Sequence, residues 1–109
     1  MVTSLIKLMS MSDSFLPTQY PLWTHEEAIA YECAQEVLTH VSAICTTRIY
    51  DEQLKDSPDF GLIDALRSKQ AMLRQQRDSL TVGNQEKIAK IRREYGAEVR
   101  AWNAQMPAA

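Results

Sequence analysis

The sequence is poor in the residues that interrupt a chain or cross-link it. Its 109 residues include three glycines, four prolines and two cysteines. Because glycine and proline most often mark turns and the ends of helices and strands, so few of them predict long, uninterrupted elements. A chain of this length forms one domain, or part of a domain that a partner completes.

Long apolar runs are missing as well. The sequence has no stretch of about 18 apolar residues, so it predicts no transmembrane helix and no membrane partner. The opening MVTSLIKLMSM has neither a basic leader nor a small-residue cleavage site, which makes it a poor signal peptide. Met1, Met9 and Met11 could each be the first residue. Two cysteines without a secretory signal indicate reduced thiols, and we expect a cytoplasmic protein.

Catalytic and metal-binding motifs are also absent. The sequence contains no GxSxG, no HExxH and no glycine-rich phosphate loop. Cys33 and Cys45 would lie about 18 Å apart along one helix, too far for a disulfide within that helix. Cys33 and His40 would share a face at about 10.5 Å, too far for one metal ion. We therefore predict a protein that is not an enzyme, with no catalytic residue, metal site or cofactor.

What the sequence does contain is helix periodicity. TxxE at Thr24 and Glu27 is a capping box, in which two side chains satisfy free backbone amides at a helix start. Apolar residues then recur at three- and four-residue steps, as on one face of a helix: Ile29, Ala30, Cys33, Ala34, Val37, Leu38, Val41, Ile44 and Cys45. KDSPD ends this pattern, and Pro58 suits the first position of a second helix.

Two further helices follow from the same kind of pattern. The second has a seven-residue leucine repeat, typical of a seam between antiparallel or coiled-coil helices: Leu66, Leu73 and Leu80. TVGN is a break, with Gly83 suited to a positive φ and Asn84 to an N-cap. The third helix carries an apolar face made of Ile88, Ile91, Tyr95, Val99 and Trp102. Gly96 falls within this face, and we expect the helix to bend there and continue.

These patterns predict an all-α fold, an antiparallel three-helix bundle or helical hairpin with coiled-coil-like seams. A single domain would span residues 23–105, with helices at about 24–54, 58–80 and 84–103. Residues 1–22 would form an extended or disordered N-terminal arm, and residues 106–109 a frayed tail. The first helix, about 46 Å long, would overhang its neighbours. A second copy would cover that overhang most simply, so we expect a homodimer that forms through the first or second helix.

Two polar residues occupy the seam positions between the leucines of the second helix, Gln70 and Arg77. Buried polar groups in an apolar seam lower stability but fix register and partner. Arg77 would then need a carboxylate, and by charge Glu32 or Glu36 are the nearest candidates. The alternative is that both residues lie at the edge of a narrow seam, with Arg77 reaching outward.

Charge is unevenly divided along the chain, although the net charge is only −2. Residues 1–66 carry ten acids and three bases, whereas residues 67–109 carry four acids and nine bases. This division favours two halves that face each other, within one chain or across a dimer, over an external acidic partner.

The helical seams and the divided charge favour a small protein-interaction module, a cytoplasmic regulator, adaptor or inhibitor. Its partners would be a second copy of itself and an unidentified protein. We expect the interaction to involve seam, acidic and aromatic positions: Leu66, Gln70, Leu73, Arg77, Leu80, Glu32, Glu36, Tyr95 and Trp102. The alternative is a nucleic-acid-binding accessory protein that uses the basic surface of residues 67–100.

Overall fold

The computed structural model describes residues 23–106, which fold into three α-helices. They are α1 at His25–Gln53, α2 at Phe60–Ser79 and α3 at Gln85–Gln105. No β-strand occurs between residues 23 and 106. The all-α helical bundle predicted from the sequence is therefore confirmed. The predicted N-terminal arm, and the predicted tail beyond Met106, lie outside the described residues.

The capping box predicted at the start of α1 is present. The Thr24 hydroxyl accepts a hydrogen bond from the Glu27 amide at 3.1 Å, and the Glu27 carboxylate accepts one from the Thr24 amide at 2.7 Å. Both amides would otherwise lack a partner within the helix. The predicted N-cap of α3 is also confirmed, because the Asn84 side chain accepts from the Lys87 amide at 3.1 Å.

The start of α2 differs from the prediction. Pro58 is not its first residue, because Asp59 is the N-cap and the helix begins after it. The Asp59 carboxylate accepts a hydrogen bond from the Leu62 amide at 3.0 Å. Capping decides the boundary here, since a carboxylate satisfies a free amide of the first turn and proline has no side-chain acceptor.

The two glycines with predicted roles have different outcomes. The prediction of a positive φ at Gly83 is wrong, because neither Gly83 nor any other described glycine has one. A backbone hydrogen bond from Asn84 to the Thr81 carbonyl, at 3.1 Å, closes this turn with ordinary dihedral angles. The predicted continuation of α3 through Gly96 is confirmed, since the helix runs on to Gln105.

α1 is the central element, and both shorter helices pack along it. α2 runs antiparallel to α1, because the Gln35 side chain reaches the Arg77 carbonyl while the Gln70 side chain reaches that of Ser42. α3 runs antiparallel to α2 and therefore parallel to α1. No Cα atom of α2 lies within 8 Å of one in α3. These two helices meet only through long side chains.

The core consists of two apolar clusters along α1. The larger one contains Ala34, Leu38, Val41, Leu73, Leu80, Ile88 and Ile91. The smaller one, nearer the α1–α2 connection, contains Cys45, Ile49, Ile63 and Leu66. Burial of these side chains supplies most of the driving force for packing, at about 25 cal/mol per Å² of apolar surface.

A buried carboxylate, that of Glu52, organises the α1–α2 connection. It accepts hydrogen bonds from the Lys55 ammonium at 2.9 Å and from the Asp59 amide at 3.0 Å. The Lys55 hydrogen bond, followed by the Asp59 amide, lowers the pKa of the Glu52 carboxyl from its ordinary value. Glu52 thus ties the end of α1 to the N-cap of α2.

Candidate protein-interaction surface

The leucine repeat of α2 forms an internal seam of the bundle. Leu66, Leu73 and Leu80 are each 4% exposed or less. Leu66 belongs to the smaller core cluster, whereas Leu73 and Leu80 belong to the larger one. Their side chains therefore pack within the chain and are almost completely buried.

Gln70 is the polar residue that fixes this seam. It is half-buried, and its side-chain amide donates to the Ser42 carbonyl and to the Thr46 hydroxyl, each at 2.9 Å. Both acceptors belong to α1, so the bonds can form at only one register of the two helices. The pairing accounts for Thr46, a β-branched residue that helices disfavour.

Arg77 lies at the edge of the seam. The prediction of a buried pair between Arg77 and Glu32 or Glu36 is wrong. Arg77 is exposed, and its guanidinium donates to the Thr39 hydroxyl at 3.3 Å. Arg77 is level with Thr39, and Glu32 lies seven residues, about 10.5 Å, further along α1. Glu36 borders a different surface, the groove between α1 and α3.

Tyr95 and Trp102 are half-buried anchors of α3. Tyr95 packs against the larger core cluster, and its hydroxyl accepts from the Gln76 side chain at 3.2 Å. Trp102 borders a pocket with Ile44 and Arg48 of α1. Each ring is apolar on one side and polar at its tip, which suits the margin of a core.

A surface groove runs between α1 and α3, and we call it the α1–α3 groove. It is lined by apolar or small residues in its floor and by polar residues at its sides: Cys33, Val37, Gly96, Val99, Glu36, His40 and Arg100. A Cβ atom at Gly96 would lie 3.4 Å from Arg100 Nη1 and within 4 Å of nothing on α1. Gly96 is buried, and the Arg100 guanidinium lies over it.

The two sides of this groove carry opposite charge. Glu32 and Glu36, one turn apart on α1, are both exposed. Arg93 and Arg100, seven residues apart and on one face of α3, are exposed too. Among residues 23–106 the salt bridges are those of Lys55 with Glu52 and of Lys69 with Glu98, so the groove charges are not paired across it. Glu36 and Arg100 line the groove, whereas Glu32 and Arg93 lie beyond it on the same helices. We call Glu36 with Glu32 the acidic bank, and Arg100 with Arg93 the basic bank.

Sequence reasoning missed this groove because it assigned its floor to the core. Cys33, Val37 and Val99 follow the apolar periodicity of their helices, but the structure leaves all three half-buried. The signal that could have found the groove was Gly96, a glycine in phase with the apolar face of α3. Gly96 lies in the floor of the groove, beneath the Arg100 side chain.

The basic residues of 67–100 are divided between α2 and α3, and some of them have partners within the chain. Lys69 pairs with Glu98, and Arg77 donates to Thr39. Other cations are exposed on two separate helices: Arg67 and Arg74 on α2, with Lys90, Arg92, Arg93 and Arg100 on α3.

The two cysteines differ in environment. Cys45 is buried, and that burial raises the pKa of its thiol. Cys33 is half-buried in the α1–α3 groove, and neither thiol is in a disulfide. Between residues 23 and 106, no three His, Cys, Asp or Glu side chains come together in a way that could hold a metal ion.

In the part of the chain that the structure describes, none of the helices has the length and apolar character needed to cross a membrane. Comparison of the chain with protein-family models, with curated proteins and with solved structures finds no match. Function has therefore to be argued from the chain's own residues.

Proposed function

We propose that this chain is a small, non-enzymatic protein-interaction module that binds a helix of another polypeptide in the α1–α3 groove. It would act as a cytoplasmic regulator, adaptor or inhibitor by covering that helix. The observation that carries the proposal is the groove itself, in which an apolar floor lies between an acidic and a basic bank.

Such a groove suits an amphipathic helix. The apolar face of a bound helix would cover Cys33, Val37 and Val99, whose burial favours association. Charged residues flanking that face would meet Glu36 on one side and Arg100 on the other. Banks of opposite sign select a partner and its orientation more than they add affinity.

A pull-down with the tagged parent chain and three variants of it tests the proposal. Glu36→Arg and Arg100→Glu each reverse one bank, and Arg67→Glu reverses an exposed charge on α2 as a matched control. A protein that binds the parent and the control but neither groove variant would support groove binding. Binding that ignores both groove variants, or no specific capture, would contradict it.

The nucleic-acid alternative predicts different behaviour. Phosphate contacts made by Arg67, Arg74 and the cations of α3 would weaken steeply as salt rises. A gel-shift series at low and near-physiological salt separates the two functions. Salt-sensitive retardation of duplex DNA or of RNA would favour the alternative, and no retardation at low salt would remove it.

A further inference from the structure

We propose that the α1–α3 groove binds a second copy of this chain, in a two-fold dimer whose axis runs parallel to the helices. The inference rests on the proposed function only in taking the groove as a binding surface. It names a different occupant of that groove, a second copy of the chain, and gives the geometry of the complex.

The charges of the two banks determine which dimer is favoured. A two-fold axis parallel to the helices places α1 of each copy opposite α3 of the other, so each acidic bank faces a basic bank. A two-fold axis perpendicular to the helices would place α1 on α1 and α3 on α3, with like charges opposed. Because a two-fold interface is self-complementary, the first arrangement forms two attractive contacts between Glu36 and Arg100.

The apolar content of this face favours a protein surface as its occupant. Ile29 is 47% exposed and lies one turn before Cys33, so it extends the floor towards the start of α1. α3 is about 30 Å long and two helices are about 20 Å wide, so each copy offers roughly 600 Å² of face. That is near the lower end of specific interfaces.

The arrangement also places the two Cys33 residues near each other. Rotation about an axis parallel to the helices does not change the height of a residue along that axis. Each residue therefore lies at the same height as the equivalent residue of the other copy. Cys33 lies in the floor of the groove, close to where that axis would pass. Cys45 is buried in the core of each chain and would not be available across the interface.

Sedimentation velocity and thiol cross-linking of the full-length chain test this dimer. We expect a concentration-dependent dimer, and a short bis-maleimide should join two chains through Cys33 alone. Mass spectrometry of the cross-linked peptides identifies the thiols, and Cys33→Ser should abolish the product. A chain that stays monomeric into the high micromolar range would overturn the inference, as would a dimer whose cross-links do not involve Cys33.

Charge exchange tests the orientation. Glu36→Arg and Arg100→Glu should each weaken the dimer at least tenfold, and the double variant should restore it because both contacts are re-formed with reversed sign. Arg67→Glu on α2 is the control and should leave dimerisation unchanged. Far-ultraviolet circular dichroism establishes that each variant is folded. Lack of rescue in a folded double variant would contradict the arrangement.

The two proposals fail separately. A monomer that captures another protein through Glu36 and Arg100 would overturn the dimer and leave the interaction module standing. A Cys33-linked dimer that captures no other protein would support the dimer and contradict the binding of another protein in the groove.

Discussion

The side-chain amide of Gln70 lies 2.9 Å from the carbonyl oxygen of Ser42 and joins the middle of α2 to the middle of α1. The same nitrogen lies 2.9 Å from the Thr46 hydroxyl. A polar residue within a leucine seam thus has its partners on the neighbouring helix, where they hold the two helices at one register.

Replacing Gln70 should lower stability. Gln70→Ala removes one half-buried and one exposed hydrogen bond, each contributing about 1 kcal/mol or less, so we expect a loss of about 1–2 kcal/mol. For a domain of this size that corresponds to a melting temperature lower by roughly 5–15 °C. Gln75→Ala, on the exposed face of α2, is the control and should change little. Equal melting of the two variants would show that the Gln70 bonds contribute nothing to stability.

Arg77→Ala should lower the stability of the chain only slightly. Its guanidinium is exposed and donates only to the Thr39 hydroxyl, at 3.3 Å. Loss of such a contact should lower the free energy of unfolding by less than about 1 kcal/mol, as for exposed ion pairs. Urea unfolding of the parent and the variant measures the difference. A loss of about 3–5 kcal/mol would be the value for a broken buried pair and would contradict the edge position.

Gly96→Ala should stabilise the chain. Glycine in a helix interior lowers stability by about 1 kcal/mol relative to alanine. The added methyl group would meet only the flexible end of Arg100, at 3.4 Å. Thermal melts of the parent and the variant should show the gain. Ala97→Gly at the exposed neighbouring position is the converse control and should lower stability by a similar amount.

Glu52→Gln should make stability less dependent on pH. Hydrogen bonds from Lys55 and Asp59 lower the pKa of the folded Glu52 carboxyl below its ordinary value. A group whose pKa falls on folding contributes stability above its unfolded pKa, and this contribution is lost as pH falls through the folded pKa. We expect the parent to melt higher than the variant near neutral pH, with the gap narrowing below about pH 4.5. A gap that stays constant down to pH 2 would contradict the role of the charge.

The two thiols should react at different rates. Burial raises the pKa of the Cys45 thiol and shields its sulfur, so little thiolate is available to attack a reagent. We expect a maleimide to label Cys33 first in dilute native protein, and Cys45 only once the chain unfolds. Peptide mass spectrometry over a time course measures both rates. Labelling of Cys45 as fast as Cys33 would contradict the burial.

Helix ends were predictable where a capping side chain lies within a few residues of the amide it satisfies. Thr24 with Glu27, and Asn84 with Lys87, are such local pairs. The start of α2 was misplaced because proline and aspartate are neighbours and both favour helix starts. The hydrogen bond that sets this start, donated by the Leu62 amide to the Asp59 carboxylate, is also local. The N-cap preference of aspartate could therefore have predicted it.

The sequence by itself determined the three helices and the buried leucine seam of α2, because periodicity and capping act between residues a few positions apart. It did not decide which seam-position side chains are buried. Arg77 meets Thr39 across 38 positions, and its exposure depends on how α2 lies against α1. The α1–α3 groove has the same origin, since it forms only when Cys33 and Gly96 are brought together. Contacts between distant residues depend on the relative placement of whole helices, and the tertiary structure alone decided that.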